Sequence, residues 1–360
     1  MTMEIQVAQS GDAAEWNSLV ANSPQGTVFH TWEWLKIIEH HTASRLYPLI
    51  GMNNGSPAGI IPLFYQKKGP IKMVFSPPPH TALFYLGPAF IAQNTRKREK
   101  TERLSLDFQK LFDGFIAENL PNQYTHISLA PANNDPRPFL WSGYDLQPHF
   151  DYTIDLSPGP DALFSSLDKR QRQDLRRAKT RDMTFGVGEE SEYKKILDLM
   201  DARYSQQGKI VTVPKSYFMD LFKKFKNEMF ISAINFGGEV ATGLIHLKYR
   251  DTMYCWVGNP KPVMALSPSP NDLLLWESIR YASENGFHYY SIMSAAGNER
   301  LHSFYAAKCN PTLSIRYVAT KKSLPADVIE KGYLNLIKPL RGKVTSFNLR
   351  KFLVTELQKS

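Results

Sequence analysis

Three side chains stand where their type and spacing allow chemistry. Tyr305 and Lys308 lie three residues apart in NERLHSFYAAKCNP, a stretch with helical spacing, so both fall on one helix face. A lysine at that place can stabilise developing negative charge. His246, in TGLIHLKY, stands between Ile245 and Leu247 on a strand whose side chains alternate. Its imidazole can act as a base or as a substrate contact. A fourth signal is charge: DKRQRQDLRRAKTRD (168–182) holds seven Lys/Arg against three Asp. Such clusters attract phosphate-bearing partners, whether RNA, an anionic membrane face or a nucleotide-linked substrate. Each signal also has a plain structural reading: a core tyrosine, a surface lysine, a satisfied strand histidine, a solvated helix face.

The elements that would position these groups run from residue 228 to 311. Their order is strand, tight turn, strand, turn, strand, Pro/Ser loop, helix, strand, helix. Upstream, YTIDL reads as a strand. Ser157-Pro158-Gly159-Pro160-Asp161 then starts a helix predicted to continue to about Arg181. Helices follow at about 191–206 and 215–227, and TLSIRYVAT (312–320) is a last strand.

The first half has a similar order. FHTWEWLKIIEHH (29–41) is a helix with Thr31 as a possible cap and Trp34, Leu35 and Ile38 facing a core. Residues 45–68 form a hairpin turning at Asn54-Gly55, a helix runs from about 102 to 118, and YTHISLAP (124–131) is a strand. AGIIPLFY (58–65) aligns with TGLIHLKY (242–249), and Glu118-Asn119 before YTHISLA parallels Glu284-Asn285 before HYYSIMS. The order of elements occurs twice. The expected organisation is a first unit at 1–150, a second at 151–320 and a basic helical tail at 321–360.

Composition sets the outer limits. The chain has 360 residues, 42% of them apolar and 12% aromatic, which is enough for two cores and excludes global disorder. There is no run of 18 apolar residues, and MTMEIQVAQSGDAAEW lacks a basic region followed by an apolar one. Cys255 and Cys309 are too few for a disulfide framework. A cytoplasmic location is expected. Of the net charge of +9, residues 321–360 carry +6, from nine Lys/Arg against Asp327, Glu330 and Glu356. That tail is expected to touch an anionic membrane at its inner face.

Several chemistries are excluded by missing motifs. There is no GxxxxGK[ST], no GxSxG elbow, and no HExxH or CxxC spacing. GVGEES (186–191) lacks the third glycine of a dinucleotide fingerprint, and His40 and His41 are adjacent, so they should point to different helix faces. No metal is expected.

With these features in hand, the chain resembles the Fem family of peptidoglycan-bridge aminoacyltransferases and the related Fem-like tandem Gcn5-type acyltransferases. The matching stretches are FHTWEWLK (29–36), GIIPL (59–63), the basic helix from Arg172 to Lys179, NDLLLW (271–276) through Gly286, and Phe304-Tyr305. The resemblance spans about residues 25 to 320. It implies an α/β fold of α+β mixed sheets: two tandem Gcn5-related N-acyltransferase-like units with a basic helical C-terminal tail. It implies transfer of an acyl or aminoacyl group to an amine of a cell-envelope or sugar-linked precursor. The co-substrate would be acyl-CoA or aminoacyl-tRNA, with no permanently bound cofactor.

The resemblance also assigns roles. Tyr305 takes the place of a tyrosine that protonates the leaving thiolate or hydroxyl, with Lys308 and His246 as further catalytic candidates. Lys36 and Arg203 would contact substrate phosphates, Ser291 the substrate, and Asn271 would cap the helix that receives the co-substrate. Two departures stand out. Phe304-Tyr305 replaces the Phe-Lys of bridge-building members, and Ser291 replaces an Asp. The loop at 260–270 has no glycine, and its prolines remove N–H donors that usually hold the CoA pyrophosphate. The alternative reading is a non-catalytic RNA- or membrane-surface-binding protein that keeps the fold.

Overall fold

The computed structural model describes residues 3–323 apart from 92–96, 134, 180, 208–210, 259–261, 263–265 and 294–298. The expected helical pieces and membrane contact of the tail beyond residue 323, and residues 260, 261 and 263–265 of the Pro/Ser loop, lie outside the described residues. The chain divides into two compact units, Met1–Pro148 with Arg316–Ser360, and His149–Ile315.

The first unit is built from β1 (Met3–Val7), α1 (Ala13–Ala21), α2 (Trp32–His41), β2 (Ser44–Asn53), β3 (Ser56–Lys68) and β4 (Ile71–Ser76). It continues with β5 (Ala89–Phe90), α3 (Arg98–Asn119), β6 (Tyr124–Ser128) and α4 (Arg137–Trp141). Strand β7 (Asp145–Asp155) crosses into the second unit, which contains α5 (Pro160–Ser166), α6 (Lys169–Lys179), β8 (Thr184–Gly188), α7 (Glu190–Gln206) and α8 (Lys215–Phe225). Next come β9 (Met229–Phe236), β10 (Glu239–Tyr249), β11 (Thr252–Gly258), α9 (Pro270–Glu284), β12 (Tyr289–Ile292) and α10 (Glu299–Ala306). Strand β13 (Thr312–Lys322) returns to the first unit at Arg316.

Each unit carries the same strand sequence. In the first the order is β1-β2-β3-β4-β6-β13, and in the second β8-β9-β10-β11-β12-β7. Among the described strands, the parallel pair of each unit is the one whose strands are joined through a helix: β4 with β6 through α3, and β11 with β12 through α9. All other pairs are antiparallel, as short turns permit. The aligned segments 58–65 and 242–249 hold the same place, the third strand of each order. The repeat expected from sequence is thus a repeat of topology.

The helix expected from Pro160 to Arg181 is two helices. Leu167 takes an extended conformation (ψ 149°) and ends α5. Asp168 then accepts a hydrogen bond from the Gln171 amide at 2.7 Å, an N-cap for α6 that the run of basic residues obscured. Arg172 folds back onto the carbonyls of Ser165 and Leu167, stapling the break. In the first unit α3 starts at Arg98, four residues earlier than expected, and Trp34, Leu35 and Ile38 are fully buried. The rings of His40 and His41 meet edge to face 4.9 Å apart at the end of α2.

Both faces of the second sheet are covered. A Cβ on Gly243 would lie 2.5 Å from Ile196 of α7, whereas its neighbour Leu244 belongs to the core that holds Leu274 of α9. Helix α7 therefore lies on one face and α9 on the other. Among the described residues, no helix is long and apolar enough to cross a membrane.

Candidate active site in the second unit

The two parallel pairs differ at their C-terminal ends, the edge where α/β sheets receive ligands. In the second unit β11 and β12 pair from Thr252–Tyr289 to Cys255–Ile292. Strand β12 then stops, while β11 continues to Gly258, held only from the β10 side through Ile245–Val257 and Leu244–Gly258. A register slip between Ile245 and His246 accompanies the divergence. Among the described residues, Val257 and Gly258 have no partner on the β12 side, so the strands open into a V lined by backbone.

In the first unit the corresponding V is filled by its own chain. Beyond the pairing of Ser76 with Ile127, Leu86 bridges Leu129, and the Leu86 amide donates to the Ser128 carbonyl at 2.9 Å. The Gly87 amide donates to the Ser76 hydroxyl at 3.1 Å, and that hydroxyl donates to the Pro62 carbonyl at 2.7 Å. Tyr85 and Leu86 are fully buried. Gly87 has φ 78°, and a Cβ there would meet Leu129 at 3.1 Å, so the filling segment needs glycine at its closest approach. Among the described residues, only the second unit keeps an opening of this kind.

Helix α9 starts at the open edge. Its N-cap is Ser269, not Asn271, because Pro270 occupies the first helical position with its fixed φ and absent N–H. Asn271 lies in the first turn, half-buried. Asp272 follows, and Lys308 donates to its carboxylate at 2.5 Å. An aspartate here already compensates the positive end of the helix dipole. The guanidinium of Arg181 reaches the Ser267 carbonyl just before the cap.

Lys308 does not share a helix face with Tyr305. Helix α10 ends at Ala306, and Cys309 and Asn310 take left-handed backbone angles (φ 52° and 48°). That turn swings Lys308 inward, where it is 8% exposed, 4.6 Å over the Phe304 ring and bonded to Asp272. Beside this pair lies a pocket of about 310 Å³ between α6 and α9, floored by Leu167, Leu175, Trp276 and Ile279. Asp272 and Lys308 form part of its wall.

Behind the opening runs a buried polar chain. His246 is fully buried, and its Nδ1 lies 3.2 Å from the Phe230 carbonyl. A carbonyl only accepts, so Nδ1 carries the proton and Nε2 accepts from the Tyr290 hydroxyl at 2.9 Å. The Cys255 thiol also bonds to Tyr290, and Cys255 is the last β11 residue paired to β12. Burial pushes the His246 pKa down to about 3 and the Cys255 thiol up to about 11. Tyr290 is raised well above its ordinary value by burial first, and also by its neighbours Cys255 and Tyr305. Tyr305 is half-buried on α10 against this cluster.

The neutral imidazole thus fixes Tyr290 and, through it, the end of the parallel pairing. In an NMR titration His246 should stay neutral down to about pH 4, since the charged form has no solvent. A midpoint near that of a free histidine would contradict this. Tyr290→Phe leaves Nε2 without a donor and should destabilise the second unit by about 1–3 kcal/mol in chemical denaturation. Unchanged stability would show that the chain does not hold the strands.

The other sequence candidates are dispersed. Ser291 is buried in β12 opposite Tyr254 and Thr153. Arg203 is half-buried near the end of α7, on the face opposite α9, 3.5 Å from the Gln206 amide oxygen. Lys36 belongs to the first unit and pairs with Glu39. Sequence reasoning missed Asp272 and Tyr290 as site residues. Asp272 was visible as an acid in a predicted first helical turn. Tyr290 carried no local signal.

The fold and this opening define the class. Residues 165–301, most of the second unit, match the acetyltransferase (GNAT) domain family. Solved structures extend the likeness to both units. FemX covers 91% of this chain over 99% of its own, at 13% identity and a TM-score of 0.64. A tandem GNAT protein from the clavulanic acid biosynthesis pathway covers 89% over 98% of its own, at 13% identity and a TM-score of 0.53. L-PGS from Bacillus licheniformis covers 94% over 100% of its own, at 11% identity and a TM-score of 0.52. A comparison with curated proteins found no match. The chain has the fold of the Fem-like tandem Gcn5-related acyltransferases, with the GNAT match in its second unit.

Proposed function

We propose that the protein transfers an acyl or aminoacyl group from acyl-CoA or aminoacyl-tRNA to an amine of a cell-envelope or sugar-linked precursor. The reaction would take place at the opening between β11 and β12. The observation that carries this reading is the contrast between an open V in the second unit and one filled by Leu86 in the first. Whichever of Val257 and Gly258 turns its backbone N–H away from β10 would donate to the carbonyl oxygen as it gains charge. The amine attacks the acyl carbon, a C–N bond forms, and the C–S or C–O bond to the carrier breaks. Tyr305 gives its proton to the departing thiolate or alkoxide, and the proton lost by the amine restores it through solvent. Lys308, neutralised in part by Asp272, contributes positive charge near that step. Ser291 and Asn271 are assigned to the walls of the site; Arg203, on the face opposite α9, and Lys36, in the first unit, carry no step in this account.

His246 enters this account as the residue that holds Tyr290. A pKa of about 3 leaves it too weak a base to take a proton from an amine near neutrality.

One observation favours the second reading, a non-catalytic RNA- or membrane-surface binder. The first turn of α9 already contains Asp272, and Pro270 removes a donor, so the usual pyrophosphate contact is weakened. A transfer screen with charged tRNA and with acyl-CoA, read by mass spectrometry on amine acceptors, separates the two. Transfer above background with either donor is expected. No transfer with both, together with salt-sensitive RNA binding, would establish the second reading instead.

A further inference from the structure

Helix α4, at the edge of the first unit, presents Leu140 and Trp141 to solvent at 56% and 62% exposure. No described large apolar side chain is more exposed than Trp141. The presentation is rigid. Phe139, the residue before them, is buried between Phe112 at 5.9 Å and Tyr144 at 5.4 Å, and the Tyr144 hydroxyl donates to Asp113 at 2.6 Å. On the other side Arg137 grips both oxygens of Asp135 at 2.7 Å and reaches Glu102 at 2.7 Å. Gly143, with φ 79°, turns the chain away directly afterwards. An aromatic wedge and a guanidinium clamp therefore hold two large apolar side chains outward.

The surroundings carry a small cationic excess, five Lys/Arg against four carboxylates. Arg137 lies 5.5 Å over the Trp141 ring, and Glu102 joins it to Arg98, which is 85% exposed. Arg103, exposed on the next turn of α3 and 3.7 Å from Asp107, and the exposed Lys97 and Lys100, with Glu99 between them, extend the fringe. The carboxylates bonded to Arg137, Glu102 and Asp135, are held below the usual carboxylate range by hydrogen bonds from arginines and so stay paired.

We propose that this tip inserts into the interface of a lipid bilayer containing anionic lipid. The size of the patch decides between occupants. A leucine and a tryptophan at these exposures offer about 250 Å² of apolar surface, far below the roughly 800 Å² per partner of a stable protein interface. A bilayer interface needs no such area: one tryptophan and a flanking aliphatic residue bury at the headgroup level while arginines meet lipid phosphates. The proposal concerns the first unit and does not depend on the acyl-transfer reading.

The test is co-sedimentation of the full chain with vesicles of phosphatidylcholine alone and of phosphatidylcholine mixed with phosphatidylglycerol. The wild-type protein should sediment with the mixed vesicles and less with the neutral ones. The double variant Leu140→Ser, Trp141→Ser should partition at least about tenfold more weakly, with its unfolding midpoint unchanged because neither side chain packs in the core. A second variant, Arg98→Glu with Arg103→Glu, should lose the preference for anionic vesicles and keep the weaker neutral binding. Wild-type sedimentation retained in the serine variant would overturn the proposal and place the contact elsewhere. So would no binding to either vesicle, or a wild-type dimer that the serine variant abolishes.

Discussion

Replacing Gly258 by alanine should destabilise the second unit by about 3 kcal/mol and abolish transfer, because two penalties coincide. Gly258 has φ 118°, a region side chains avoid, and a Cβ there would stand 2.5 Å from the Gly243 carbonyl and 3.0 Å from the Leu244 Cα. Both obstacles are backbone of β10, so relief requires β11 to separate from its only remaining partner at the opening. Chemical denaturation should show the loss of stability. Hydrogen exchange should show loosened amides at Leu244 and Val257 before the rest of the unit. A variant as stable as the wild type would mean that β10 yields easily, and that the geometry of the opening is not held by this approach.

The second large effect is on rate. Tyr305→Phe should lower turnover at least about tenfold with KM little changed, since the hydroxyl acts on the leaving group and the ring's packing is kept. The fall should be smaller for a carrier whose leaving group needs less protonation, so a thioester donor should suffer less than an oxygen ester. Equal turnover in wild type and variant would remove Tyr305 from the chemistry. Phe304 and Tyr305 would then be core residues with an edge-to-face contact at 5.1 Å and nothing more.

Much of this frame could be read from residue patterns. The match of 58–65 to 242–249 found the third strand of each unit, because both strands are buried on two faces and read as near-continuous apolar runs. The order strand–helix–strand around NDLLLW located the parallel pair of the second unit. What escaped depends on distant contacts. The filling of the first V needs Leu86 to meet Leu129 and Ser76 to bond across to Pro62, pairings that no local spacing encodes. Helical spacing throughout NERLHSFYAAKCNP puts Lys308 on the helix face of Tyr305. The helix instead ends at Ala306, and left-handed residues at 309 and 310 turn the lysine onto Asp272. His246 has the alternation expected of its strand, but with α7 and α9 covering both faces, either orientation would have buried it.

The central claim is that the donor enters the opening of the second unit and not the filled V of the first. Hydrogen-exchange mass spectrometry with acetyl-CoA, and separately with charged tRNA, tests it directly. With the donor that supports transfer, added protection should appear at residues 256–258 and in the first turn of α9, and none at residues 85–87 or Leu129. Protection confined to the first unit, with the opening between β11 and β12 unaffected by either donor, would contradict the account.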